Sequence, residues 1–138
     1  MDTKTKGKII NAIRRLSFTH KPRNAAKAKR KVGPATWQCD MCQAVVYTGK
    51  KKDIPSEVTD IYPNAIFGKI EIDHQESCVP LEGFPGKKWD WNIFLDNMFC
   101  DEDGFNVICK PCHDSKTFLE KEIRKEARQK NKKVNKKT

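Results

Sequence analysis

Two Cys-x-x-Cys pairs, Cys39-Asp40-Met41-Cys42 and Cys109-Lys110-Pro111-Cys112, lie far apart in a chain of 138 residues. If all four sulfurs hold one ion, any fold must bring the two pairs together, a stronger restriction than any other in the sequence. Thiolates at this spacing suit two corners of a tetrahedral site, with sulfur at about 2.3 Å from the metal. Four such ligands close the coordination sphere, so a zinc ion on Cys39, Cys42, Cys109 and Cys112 would be structural. Six cysteines could instead make three disulfides in a secreted chain. Against that, the start Met1-Asp2-Thr3-Lys4-Thr5-Lys6 has no apolar export segment behind it. A redox Cys-x-x-Cys is expected beside a βαβ pattern, and no such pattern is visible. Cys100 ends an apolar stretch and reads as a buried small hydrophobe. Cys78 suggests no role.

The length allows one domain with extensions, and a core of this size benefits from a staple. Hydrophobic residues make up 37% and charged residues 33%, the composition of a thin-cored protein. No apolar run approaches the roughly 20 residues of a membrane span. The formal charge is +10, from 28 Lys+Arg against 18 Asp+Glu, with the basic residues gathered in 4–31 and 121–137. Such ends could serve solubility alone, or present a surface to phosphates.

Hydrophobic spacing predicts an amphipathic helix over 7–17, with Ile9, Ile13 and Leu16 on one stripe, and a short basic helix over 23–31 after Pro22. Gly33-Pro34 should end that helix. Ala44 to Thr48 reads as a short strand leaving the first cysteine pair, and 49–53 as a basic turn. Alternation predicts a strand over 68–74, with Ile70 and Ile72 inward. A loop over 75–88 precedes a helix over 89–99 with Trp91, Leu95 and Met98 on one face. A second strand follows over 105–108. From about Pro111 a helix carries Leu119, Ile123 and Ala127 at i, i+4, i+8, and composition predicts disorder after Lys130.

Chemistry-bearing residues flank the second cysteine pair. Asp73-His74 ends the 68–74 strand. A carboxylate is a good ligand for a hard divalent ion. A histidine with a pKa near 6.5 is a good general base at neutral pH. Adjacent strand residues point to opposite faces, so the two serve one site only if the strand ends or twists there. Without chemistry, Asp73-His74 is a strand-end polar pair. His113, Lys116 and Thr117 can share one helix face; the bland readings are an alternative zinc ligand or a surface residue for His113, and a solvated helix residue for Lys116.

Asp73-His74 followed by Cys109-x-x-Cys112-His113-x-x-Lys116-Thr117 resembles the HNH endonucleases, the ββα-metal or His-Me finger class, in the form common among phage proteins. The resemblance covers about 36–120 and reaches the leading basic segment. It implies an α+β fold: a small zinc-stapled ββα-metal domain with N-terminal basic helices and a C-terminal helix. The chain then divides into a basic helical extension (1–34), the nuclease domain with its zinc site (35–125) and a basic, disordered tail (126–138). The resemblance implies that His74 activates water, that Asp73 and His113 hold a catalytic Mg²⁺ or Mn²⁺, and that Lys116 contacts DNA phosphate. It implies hydrolysis of DNA phosphodiesters to 5′-phosphate ends. The Asn of the family name sits in many members five residues before the C-terminal cysteine pair, which is Gly104 here; Asn106, at a strand position where relatives carry Gln or Asn, is the candidate to orient His74. Arg14, Arg15, Arg23, Lys27 and Arg30 are the further candidates for DNA contact.

The expected partner is double-stranded DNA, with phage packaging or other phage proteins as further partners, no membrane, and the cytoplasm of a bacterial host as the location. Two rival readings keep the cysteines and the charge but not the catalysis. One is a zinc-ribbon module that binds nucleic acid without cutting it. The other is an adaptor whose basic ends bind acidic proteins.

Overall fold

Asp2 caps the first helix: its carboxylate accepts from the Thr5 N–H at 2.7 Å. The computed structural model describes residues 1–50 and 53–136. Helix α1 spans Thr3–Ser17 and α2 spans Lys21–Lys29. Pro22 lies in the first turn of α2, where a missing N–H costs nothing, so the second helix starts before the proline rather than after it. The expected face of α1 is rotated. Ile10 and Ile13 pack inward and Ser17 is buried, whereas Leu16 is 63% exposed.

A four-stranded sheet follows in the order β1 (Lys31–Gly33), β2 (Thr36–Gln38), β3 (Val45–Tyr47), β4 (Ile66–Phe67). The helix expected to reach residue 31 gives way to strand because Lys31 pairs with Trp37. The Gly33-Pro34-Ala35 segment then forms the hairpin turn, with Ala35 at φ 51. The boundary near residue 34 therefore falls inside a hairpin. The first cysteine pair occupies the β2–β3 turn, closed by the Cys39 N–H donating to the Ala44 carbonyl at 2.9 Å. Short helix α3 (Ser56–Thr59) lies between β3 and β4. The basic turn expected at 49–53 falls partly outside the described residues.

The strand expected over 68–74 begins two residues later, at Ile70. Residues 66–67 pair in parallel with β3, and β5 (Ile70–His74) pairs antiparallel with β6 (Phe105–Cys109) in a separate two-stranded sheet. Between β5 and β6 stands α4 (Trp91–Met98), capped by the Asp90 carboxylate, which accepts from the N–H groups of Asn92 and Ile93. Helix α5 (Lys110–Lys136) follows β6 without a linker and continues past the point where composition predicts that order ends. No helix among the described residues is long and apolar enough to cross a membrane.

Two small cores hold these elements. One comprises Cys39, Val46, Ile108 and Cys109, with Ile70 and Cys112 against it. The other centres on Phe84, Phe94 and Met98 and takes in Ile10, Ile13, Trp89 and Trp91. The buried residues of α4 are Phe94 (0% exposed) and Met98, not Leu95 (36% exposed), so its inward stripe is Trp91, Phe94, Met98. The correction on α5 goes further. Leu119 (60%) and Ile123 (42%) face outward, while His113, Lys116, Thr117, Glu120 and Arg124 are turned toward the protein. Phe94→Ala should cost about 3–5 kcal/mol of stability, and Leu95→Ala less than about 1 kcal/mol; urea unfolding of the two variants measures the contrast.

Candidate metal centre and active-site cleft

The hairpin turn and the β6–α5 junction bring the sulfurs of Cys39, Cys42, Cys109 and Cys112 within 4.8 Å of one another. The Cys42 and Cys109 sulfurs are 3.7 Å apart, close to the about 3.8 Å between two thiolates at tetrahedral corners 2.3 Å from an ion. The Cys39 sulfur accepts from three backbone N–H groups: Cys109 at 3.3 Å, Met41 at 3.4 Å and Cys42 at 3.5 Å. The cluster fits a structural metal such as zinc. Burial works against ionising Cys39, but the N–H groups of Cys42, Cys109 and Met41 outweigh it and bring the thiol down to about 7. Burial pushes Cys109 up. Contact with Cys109, then burial and the sulfurs of Cys42 and Cys39, push Cys112 up to about 12. Without a cation, then, the cluster resists carrying several thiolates at once.

Asp40, inside the first cysteine pair, ties it to β6. Its N–H donates to the Val107 carbonyl at 2.8 Å, and its carboxylate accepts from the Val107 N–H at 2.7 Å and from Arg30 Nε at 2.6 Å. Arg30, expected at the DNA surface, is committed to this contact. A bound metal displaces thiol protons, so loading should release acid and retention should weaken as pH falls. We expect zinc bound at neutral pH and lost on acidification, and lost at all pH values in Cys109→Ser; elemental analysis of chelator-free protein after dialysis across pH tests both.

Below the junction, a cleft of about 650 Å³ gathers Asp73, His74 and His113 with Arg14, Arg23 and Arg124. Strand β5 stays in register with β6 up to His74, paired with Phe105, and ends there. Asp73 and His74 both border the cleft at the end of the strand. His74 Nε2 lies 2.9 Å from the Met98 carbonyl. A carbonyl only accepts, so in the neutral ring Nε2 carries the proton and Nδ1 has the lone pair. The ring packs on Phe105 at 4.9 Å between centroids. The Met98 carbonyl thus makes the contact sought from Asn106, whose side-chain oxygen instead accepts from Gln75 at 3.2 Å. Gly104 has a steric reason to lack a side chain: a Cβ there would stand 2.5 Å from the Cys100 sulfur.

Lys116 is not free at the surface. Its ammonium donates to Asp73 Oδ2 and to the His74 carbonyl, both at 2.6 Å, and the pair is 19% and 24% exposed. Among the described residues, only the four cysteines form a group of three or more His, Cys, Asp or Glu close enough to hold an ion. Asp73 and His113 border the cleft but belong to no such group. Of the remaining candidates, Arg14 and Arg23 reach the cleft, Lys27 borders a neighbouring groove, and Arg15 is exposed on α1. Burial lowers the pKa of the Arg23 guanidinium, while Glu71 works in the opposite direction.

Arg124, unnoticed in the sequence, donates to Ser77 Oγ and to the Val79 carbonyl and so ties α5 to the 75–88 loop. The signal for it was present: 113, 117, 120 and 124 follow a helical period of their own. Cys78 also borders the cleft, its thiol pushed up to about 11, first by burial. Cys100 is half-buried, and burial pushes it up as well. Protein-family models, curated proteins and solved structures contain no match to this chain. Lys116→Met leaves Asp73 without its ion pair and should cost about 1–3 kcal/mol. Mn²⁺ should restore part of that loss by binding the freed carboxylate; urea unfolding with and without Mn²⁺ reads both effects.

Proposed function

We propose that this protein is an HNH endonuclease that hydrolyses DNA phosphodiesters with a divalent ion and a histidine general base. The observation that carries the reading is the cleft: Asp73, His74 and His113, from two elements separate in sequence, line one space together with three arginines. His74 supports the general-base role because its Nε2 is occupied and its Nδ1 is left able to accept a proton. In the reaction, His74 Nδ1 takes a proton from water while the water oxygen attacks phosphorus. The bond from phosphorus to the 3′ oxygen breaks, and that oxygen takes a proton from solvent, leaving 5′-phosphate and 3′-hydroxyl ends. Arg14, Arg23 and Arg124 would bind the phosphates of the strand and offset the charge that develops on them. An Mg²⁺ or Mn²⁺ on Asp73 and His113 would supply further positive charge at the phosphate. Its ammonium on Asp73, Lys116 would steady that carboxylate rather than contact DNA phosphate, the role the resemblance implies. The four-cysteine site would be structural, holding the start of α5 in place.

His74→Ala should lower the nicking of supercoiled plasmid about 10²–10⁴-fold while metal content, folding and DNA affinity stay near wild type. Asp73→Ala and His113→Ala should be partly rescued by raised Mn²⁺, and His74→Ala should not. Cleavage by His74→Ala at the wild-type rate would remove the histidine general base from the mechanism, and failure of the wild-type protein to nick plasmid with Mg²⁺ or Mn²⁺ would leave the zinc-ribbon binding module as the better reading.

A further inference from the structure

A second groove, of about 820 Å³, lies beside the cleft and is lined in part by Trp37 and Phe67. The two spaces follow the same three elements. On α2, Arg23 borders the cleft and Lys27 the groove; on β5, Asp73 and Ile72 border the cleft and Ile70 the groove, with Lys69 just before the strand; on α5, the division is Thr117 and Asp114. One helical turn advances about 5.4 Å and two strand residues about 6.6 Å, so a strand lying in the cleft runs into the groove within a nucleotide or so.

The groove combines aromatic and cationic groups. Phe67 is 45% exposed. Trp37 is held by its indole N–H, which donates to the Lys27 carbonyl at 3.0 Å. The ammonium groups of Lys27 and Lys31 lie 4.9 and 5.7 Å from its ring centre. Lys27, Lys31 and Lys69 make no ion pair among the described residues, whereas Lys110 pairs with Asp114 at 3.1 Å. Glu71 also borders the groove. An exposed phenyl ring beside ammonium groups that make no ion pair suits a base stacked on the ring with its phosphates on the rim, and a chain of formal charge +10 attracts polyanions. A base inside a duplex has both faces covered by its neighbours, so only an unpaired or everted nucleotide can use such a platform.

We infer that the groove is a subsite for one unpaired nucleotide of the bound strand, stacked on Phe67 beside Trp37, with its flanking phosphates on Lys27 and Lys69. The position assigned to that nucleotide rests on the nuclease reading; the stacking itself does not. Substrates with a frayed, bulged or single-stranded nucleotide beside the scissile bond are therefore preferred over uninterrupted duplex.

Fluorescence anisotropy on zinc-loaded protein without added Mg²⁺ or Mn²⁺ separates the two, because nothing is cut. The probes are a labelled oligothymidylate and a labelled blunt duplex of the same length. Phe67→Ala should weaken oligothymidylate binding about five- to a hundredfold and duplex binding less than about twofold. Phe67→Tyr should retain wild-type affinity, and Phe118→Ala, an exposed aromatic on α5 outside the groove, should change neither. Equal losses on both probes, or no loss in Phe67→Ala, would overturn the subsite. A selective loss in a protein that fails to nick plasmid would keep the subsite and remove the nuclease. Normal nicking with no selective loss would do the reverse.

Discussion

The contact between the two cysteine pairs is what the remaining structure depends on. Of the four residues buried in that core, two are the cysteines themselves, so apolar burial there is slight. Three N–H groups converge on the Cys39 sulfur, and one of them is the N–H of Cys109 from the other pair. Asp40 adds a backbone pair and a side-chain bond to Val107. A cation at the sulfurs would join the β2–β3 turn to the β6–α5 junction at a single point. That junction sets where α5 begins and how it is rotated, and therefore where His113, Lys116 and Arg124 lie.

Helix α5 spends its inward face on polarity. It turns His113, Lys116, Thr117, Glu120 and Arg124 to the protein and leaves Phe118, Leu119 and Ile123 outside. An ionic group at such a partly covered position is tolerable when partners surround it. Lys116 has three acceptors within reach, on Asp73, His74 and Glu120. Arg124 has Ser77 and Val79. These bonds also fasten the 75–88 loop and the end of β5, so the groups lining the cleft hold one another.

The basic N-terminal segment belongs to the same construction. Ile10 and Ile13 pack on the core around Phe94, and His20 Nε2 lies 2.8 Å from the Cys100 carbonyl while its ring meets Phe99 and Phe105. Anchored this way, α1 and α2 carry Arg14 and Arg23 to fixed places at the cleft. Other basic residues pair with acidic side chains of the protein itself: Arg30 with Asp40 and, at the surface, Lys29 with Glu102. Charge counted along the chain cannot separate these two uses, because both need only a lysine or arginine on a short helix.

Read alone, the sequence determined the mixed α+β composition, the four-cysteine grouping and most elements to within a few residues, and it singled out Asp73, His74 and His113, which border one cleft. These are legible because ligand spacing, strand alternation and helical period are local properties of the chain. Tertiary structure decided which face of each element is buried: Phe94 over Leu95, Ile10 over Leu16, and the polar stripe of α5 over the apolar one. It also decided the partner of His74, a backbone carbonyl that carries no sequence signal, and the commitment of Lys116 to Asp73. A helix with two possible stripes has no local reason to prefer either. The choice falls to whatever lies opposite, and here that is the end of β5, which the paired cysteines hold beneath α5.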